Sequence, residues 1–101
     1  MFDGFSIMTS FFAGLAHTEY GDLCTDVDGL VHLSTAQECR YAVSYAKTFN
    51  SNARYEGNMA VSAYPMGCII DDGGQMRFNR PPLPTGEGHY RYKNICRLGN
   101  T

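Results

Sequence analysis

Gly67-Cys68-Ile69-Ile70-Asp71-Asp72-Gly73-Gly74-Gln75-Met76-Arg77-Phe78 reads as a β-hairpin, and the rest of the chain organises around it. Two strand-like runs flank four turn residues, and Asp-Gly supplies the positive φ angles that a tight hairpin turn demands. Upstream, Ala60-Val61-Ser62-Ala63-Tyr64 reads as a strand that stops at Pro65. Downstream, residues 80–88 (RPPLPTGEG) can form neither helix nor central strand and are expected as an exposed loop. His89 to Cys96 then alternates as a last strand. Tyr90, Tyr92, Asn94 and Cys96 share one of its faces, and His89, Arg91, Lys93 and Ile95 share the other.

The helix signal lies earlier. Leu30-Val31-His32-Leu33 is a short strand-like run, followed by Ser34 and Thr35, each with Gln37 or Glu38 three residues on, as a capping box requires. The helix is expected to run to about Phe49, with Cys39, Ala42, Val43, Ala46 and Phe49 on its apolar face. Residues 53–58 read as a polar connection, and residues 17–28 as an acidic, glycine-punctuated loop. The fold class expected is α+β: one helix packed on a small antiparallel sheet, in a single domain over residues 17–101.

A chain of 101 residues has room for one domain with a modest core, which makes covalent staples valuable. Cys24, Cys39, Cys68 and Cys96 are widely spaced and lack the close pairs of a zinc site, so they read as a disulfide framework in an oxidising compartment. Four reduced core thiols are the alternative. Three pairings are available, and the layout favours the nested one. Cys39–Cys68 would join helix to hairpin, inside Cys24–Cys96 joining the first loop to the last strand. The loop-entropy relation gives these roughly 3.5 and 4.5 kcal/mol.

Net charge is −2, too small to argue for nucleic acid as a partner. Residues 1–38 carry six acidic side chains and no Lys or Arg, whereas Arg77, Arg80, Arg91, Lys93 and Arg97 face only Glu87 in residues 75–101. The two ends are therefore expected to lie near one another, with a basic face for an anionic partner as the alternative.

Residues 1–16 form a separate apolar segment, MFDGFSIMTSFFAGLA. Asp3 and the absence of Lys or Arg do not fit a secretory leader, and the stretch is shorter than the about 20 residues that span a bilayer. As a helix it presents Phe5, Met8, Phe12 and Leu15 on one stripe, with Phe2, Ile7 and Phe11 off it. An element apolar on more than one side needs cover: its own domain, another subunit or a membrane interface. Phe2, Phe5, Met8, Phe11, Phe12 and Leu15 are the candidate docking residues.

Thr35-x-x-Glu38-Cys39-x-x-Ala42, Tyr64-Pro65-x-Gly67-Cys68, Phe78-Asn79 and Ile95-Cys96-Arg97 together resemble a small four-cysteine module recurrent in proteins of unicellular algae, dinoflagellates especially. The resemblance spans about residues 24–97 and departs at Ile69, where the family usually has an aromatic residue. It implies an algal source and brings no catalytic signature. It suggests two settings: secreted or surface proteins, and the lumenal subunits of plastid complexes.

His17, His32 and His89 are far apart, Asp71 and Asp72 are explained by the turn, and no glycine-rich phosphate loop occurs. No catalytic residue, metal or cofactor is expected. Seven tyrosines and six phenylalanines exceed what a small core can hold, so some belong at a surface or contact. The function expected is a non-catalytic accessory subunit docking on a larger algal assembly through residues 1–16, such as a peripheral lumenal subunit of a photosystem in the thylakoid membrane. The alternative is an extracellular or cell-surface module binding carbohydrate or protein through Tyr90 and Tyr92.

Overall fold

The computed structural model describes residues 14–82 and 88–99. Phe2, Phe5, Met8, Phe11 and Phe12 therefore lie outside the described residues, as does the middle of the 80–88 loop. Six strands, β1 (Leu15–His17), β2 (Leu30–His32), β3 (Arg54–Met59), β4 (Gly67–Asp71), β5 (Gln75–Asn79) and β6 (Tyr92–Leu98), accompany two short helices, α1 (Ala36–Tyr41) and α2 (Val43–Ala46). A 3-10 turn covers Cys24–Asp26. The class is α+β with the sheet dominant.

The hairpin β4–β5 forms where the sequence places it, with Cys68 opposite Phe78 and Ile70 opposite Met76. Its turn differs in one respect. The positive φ belongs to Gly74 (93°), whose amide donates to the Asp71 carbonyl at 3.1 Å. A Cβ on Gly74 would strike the Asn52 carbonyl, so this position also needs glycine for the close approach of the 50–53 loop.

The sheet is mixed rather than antiparallel. Its order is β1-β6-β4-β5-β3, and β3 runs parallel to β5, with Arg54 opposite Gln75 and Met59 opposite Asn79. The strand expected at residues 60–64 is a loop, and the run read as a connection is the strand. Residues 54–59 do alternate, with Arg54, Glu56 and Asn58 outward and Tyr55 and Met59 half-buried. As an edge strand β3 carries charge on its open face, with Arg54 Nε 2.7 Å from Glu56 Oε2. Such residues have low strand propensity, which hid the strand.

β6 is the spine. Ala16 of β1 and His32 of β2 both pair with Cys96, so they sit on opposite edges of β6. β2 thereby continues the row that β4 makes along Tyr92 to Ile95. Leu15 enters the fold here: it pairs with Arg97 and packs half-buried on the core, so the sheet takes in the end of the apolar N-terminal segment. These pairings also bring the acidic first third of the chain beside the basic last strand, as its charge distribution suggested.

The capping box resolves to Thr35 and Glu38. The Glu38 amide donates to Thr35 Oγ1 at 3.1 Å, and Glu38 Oε1 accepts from the Thr35 and Ser34 amides. The single long helix expected is two, interrupted at Ala42, where ψ flattens to −3° and the residue is buried against the sheet. Cys39, Ala42 and Ala46 still face inward, meeting Cys68, Ile70, Met76, Phe78 and Ile95.

The other face of the sheet is also buried. Ile69, Asn94 and Cys96 point away from the helices and have no exposure. The segment leading into the 3-10 turn and the 60–66 loop cover them. Both disulfides take the nested pairing: Cys24–Cys96 on this second face, with Cα atoms 5.7 Å apart, and Cys39–Cys68 on the helical face, at 5.2 Å. Each face of the sheet is tied to its own cover by one bridge.

Irregular backbone in a covered layer needs partners for its polar groups, and two buried asparagines supply them. Asn79 accepts from the Val61 amide at 2.8 Å and donates to the Val61, Tyr64 and Pro65 carbonyls. Asn94 accepts from the Cys24 amide at 3.0 Å and donates to the Met66 and Cys68 carbonyls, each at 3.0 Å.

Candidate functional site

At one end of the sheet the hairpin turn, the start of β6 and the loop after β1 meet. Asp71 closes β4 opposite Tyr92, and the Gly21 amide donates to the Tyr92 carbonyl at 3.1 Å, which brings Tyr20 alongside. Gly88 lies so close to the Gly21 carbonyl that a Cβ would overlap it, fixing the approach of the segment that carries His89 and Tyr90. Tyr20, Asp71, Asp72, Tyr90, Arg91 and Tyr92 line the resulting recess, of about 510 Å³. That volume lies in the range of small-molecule sites, about 300–1,000 Å³.

The rings differ in their support. Tyr92 is wedged against Tyr64, with centroids 4.8 Å apart, and Tyr64 meets His89 edge-on at 5.1 Å. Tyr90 stacks on His89 at 4.7 Å yet keeps 73% of its surface in water, and Tyr20 keeps 44%. Arg91 Nε lies 3.4 Å from the Tyr90 hydroxyl. Lys93, on the opposite face of β6, places its ammonium 5.0 Å from the Tyr20 ring centre and 5.2 Å from that of Phe49. Burial pushes the Tyr20 hydroxyl pKa up, with the Asp72 and Asp71 carboxylates adding to it. Burial also raises Tyr92, reinforced by Tyr64 beside it. Tyr20 and Tyr92 therefore stay neutral hydrogen-bonding groups at neutral pH.

Of the candidate ligand residues, Tyr90 and Tyr92 are brought together. Tyr20, Arg91 and the two aspartates were missed. Turn chemistry accounts for Asp71, whose Oδ1 accepts from the Gln75 amide at 2.9 Å, and that explanation concealed its place in a wall. Arg91 was assigned to the opposite face because alternation was carried through residues 89–91. These form a turn, closed by the Tyr92 amide on the His89 carbonyl at 2.9 Å, so strand alternation begins only at Tyr92. Ile69 is fully buried and so occupies no surface platform.

The histidines are separate. His17 stacks on Phe49 at 3.9 Å, and its Nδ1 lies 2.7 Å from the Tyr45 hydroxyl. Burial first, then Lys93, lowers its pKa. His32 sits over Gly67, whose added Cβ would come within 3.3 Å of the ring, and its Nδ1 is buried with no hydrogen-bond partner among the described residues. Burial lowers its pKa, while Asp26 and the Met66 carbonyl pull the other way. A smaller cavity of about 320 Å³ lies beside it, bounded by Met66, Phe78 and Arg80.

Among the described residues no three or more His, Cys, Asp or Glu side chains gather to hold a metal ion, and no helix is long and apolar enough to cross a membrane. No family model, curated protein or solved structure matches the chain.

Proposed function

We propose that the chain is a non-catalytic accessory subunit, a rigid disulfide-stapled block fastened to a larger assembly by the apolar sequence of residues 1–13. The observation that carries this reading is the route of the chain into the fold. Leu15 to His17 form an edge strand on β6, and its central pair, Ala16 with Cys96, adjoins the Cys24–Cys96 bridge. A load on the apolar segment passes through one strand into a covalently closed frame, which is the mechanics an anchored block requires.

The two disulfides fit an oxidising compartment. The algal four-cysteine pattern and the apolar segment favour the lumenal face of a photosynthetic membrane complex over the cell exterior. The test is deletion of residues 1–13, a cut placed before Gly14 so that β1 stays intact. The truncated protein should keep its fold and both disulfides and be lost from the assembly with which the full chain co-purifies. Retention of the same partners by the truncated chain refutes the reading.

A further inference from the structure

The composition of the tyrosine recess selects a ligand class. Tyr20, Tyr90 and Tyr92 contribute ring area and three hydroxyls. Among the described residues the lining carries the Asp71 and Asp72 carboxylates and the Arg91 guanidinium, so charges of both signs face the recess. A free cation meets Arg91, and a free anion meets Asp71 and Asp72. What gains is a neutral molecule with an apolar face for a ring and hydroxyls for fixed acceptors and donors. A pyranose ring has both: axial C–H groups on one face and vicinal hydroxyls at its rim, which carboxylate and guanidinium forks hold in pairs.

We propose that the recess between the β4–β5 turn and the start of β6 binds an uncharged pyranose-based glycan. The sugar stacks on the largely exposed Tyr90 ring, and Asp72 and Arg91 bond its hydroxyls, both side chains being exposed. Tyr92, packed against Tyr64, forms the fixed floor.

The test is an amide-shift titration of the ¹⁵N-labelled full chain with uncharged trisaccharides of glucose, mannose, galactose and N-acetylglucosamine, alongside tetramethylammonium chloride and sodium phosphate. At least one trisaccharide should give saturable shifts centred on Tyr20, Asp71 to Gly73 and Tyr90 to Tyr92, with a millimolar or tighter Kd. Tyr90→Ala should weaken it on the order of tenfold, the loss of one stacking partner. Tyr41→Ala, which removes a comparably exposed tyrosine (71%) elsewhere, should leave it unchanged. Three results overturn the proposal: no saturable shift at about 20 mM of any trisaccharide, tighter binding of tetramethylammonium or phosphate at the recess, or full affinity in Tyr90→Ala.

Discussion

Replacing Asn94 by alanine is expected to cost this fold as much as losing a disulfide. Its side chain is fully buried and bonds the Cys24 amide and the Met66 and Cys68 carbonyls. Truncation leaves all three without that partner. The backbone of Asn94 is untouched, since it pairs with Thr18 at 2.9 Å in both directions. A buried amide left unpaired costs about 1–3 kcal/mol, and each weakened carbonyl about 1, which gives about 3–5 kcal/mol in all. Against a total of about 5–15 kcal/mol this lowers the melting temperature by about 15 °C or more. Denaturant unfolding with both disulfides verified by mass measures the loss. Asn58→Ala, at an exposed position whose Oδ1 accepts from the Tyr55 hydroxyl, serves as the control and should cost less than about 1 kcal/mol. Asn94→Asp separates the donor from the acceptor role. A carboxylate can still accept from Cys24 but sets an oxygen against two carbonyls. It should therefore rescue nothing at pH 7, then gain on wild type as falling pH restores an O–H donor. A cost below about 1 kcal/mol for Asn94→Ala would refute the assignment of this side chain as the tie between the sheet and its second cover.

Removing the Cys39–Cys68 bridge by double alanine substitution should cost roughly 3.5 kcal/mol and removing Cys24–Cys96 roughly 4.5, read from denaturant midpoints. Gly88→Ala should destabilise by about 1–3 kcal/mol because its methyl group meets the Gly21 carbonyl; thermal melting reports it. His17 and His32 both have folded pKa values held below the usual 6.5, chiefly by burial, so the unfolded chain binds more protons in that range. Their contribution is intact above pH 6.5 and lost as pH falls through their folded pKa values. Melting temperature should drop between pH 7.5 and 5, and His17→Phe should flatten part of that slope.

The features legible in the sequence were those set by local chemistry. The hairpin, the Thr35–Glu38 capping box and the inward stripe of Cys39, Ala42 and Ala46 follow from turn residues and period. The nested bridges followed from that layout. What escaped depends on contacts distant in the chain. β3 has the composition of a charged loop and is a strand because β5 offers it an edge. Residues 60–64 have the composition of a strand and are a loop because Asn79 takes up their carbonyls. The recess was half-visible for the same reason. Tyr90 and Tyr92 stood out as exposed aromatics, whereas Tyr20 joins them only through the Gly21–Tyr92 hydrogen bond across the sheet.

β6 carries a consequence for biogenesis. It is the last of the described strands to leave the ribosome, yet β1, β2 and β4 all pair with it. Leu15 waits for Arg97, and Cys24 waits for Cys96 across 72 residues. A nascent chain ending before Tyr92 holds the hairpin and its helix, which Cys39–Cys68 can already close across 29 residues, but leaves the first third without a partner. Assembly of this fold is therefore a late, concerted event with high loop-closure cost. Until it occurs, the oxidising machinery meets Cys24 as an unpaired thiol open to wrong partners, so the order of bond formation should be Cys39–Cys68 first and Cys24–Cys96 last.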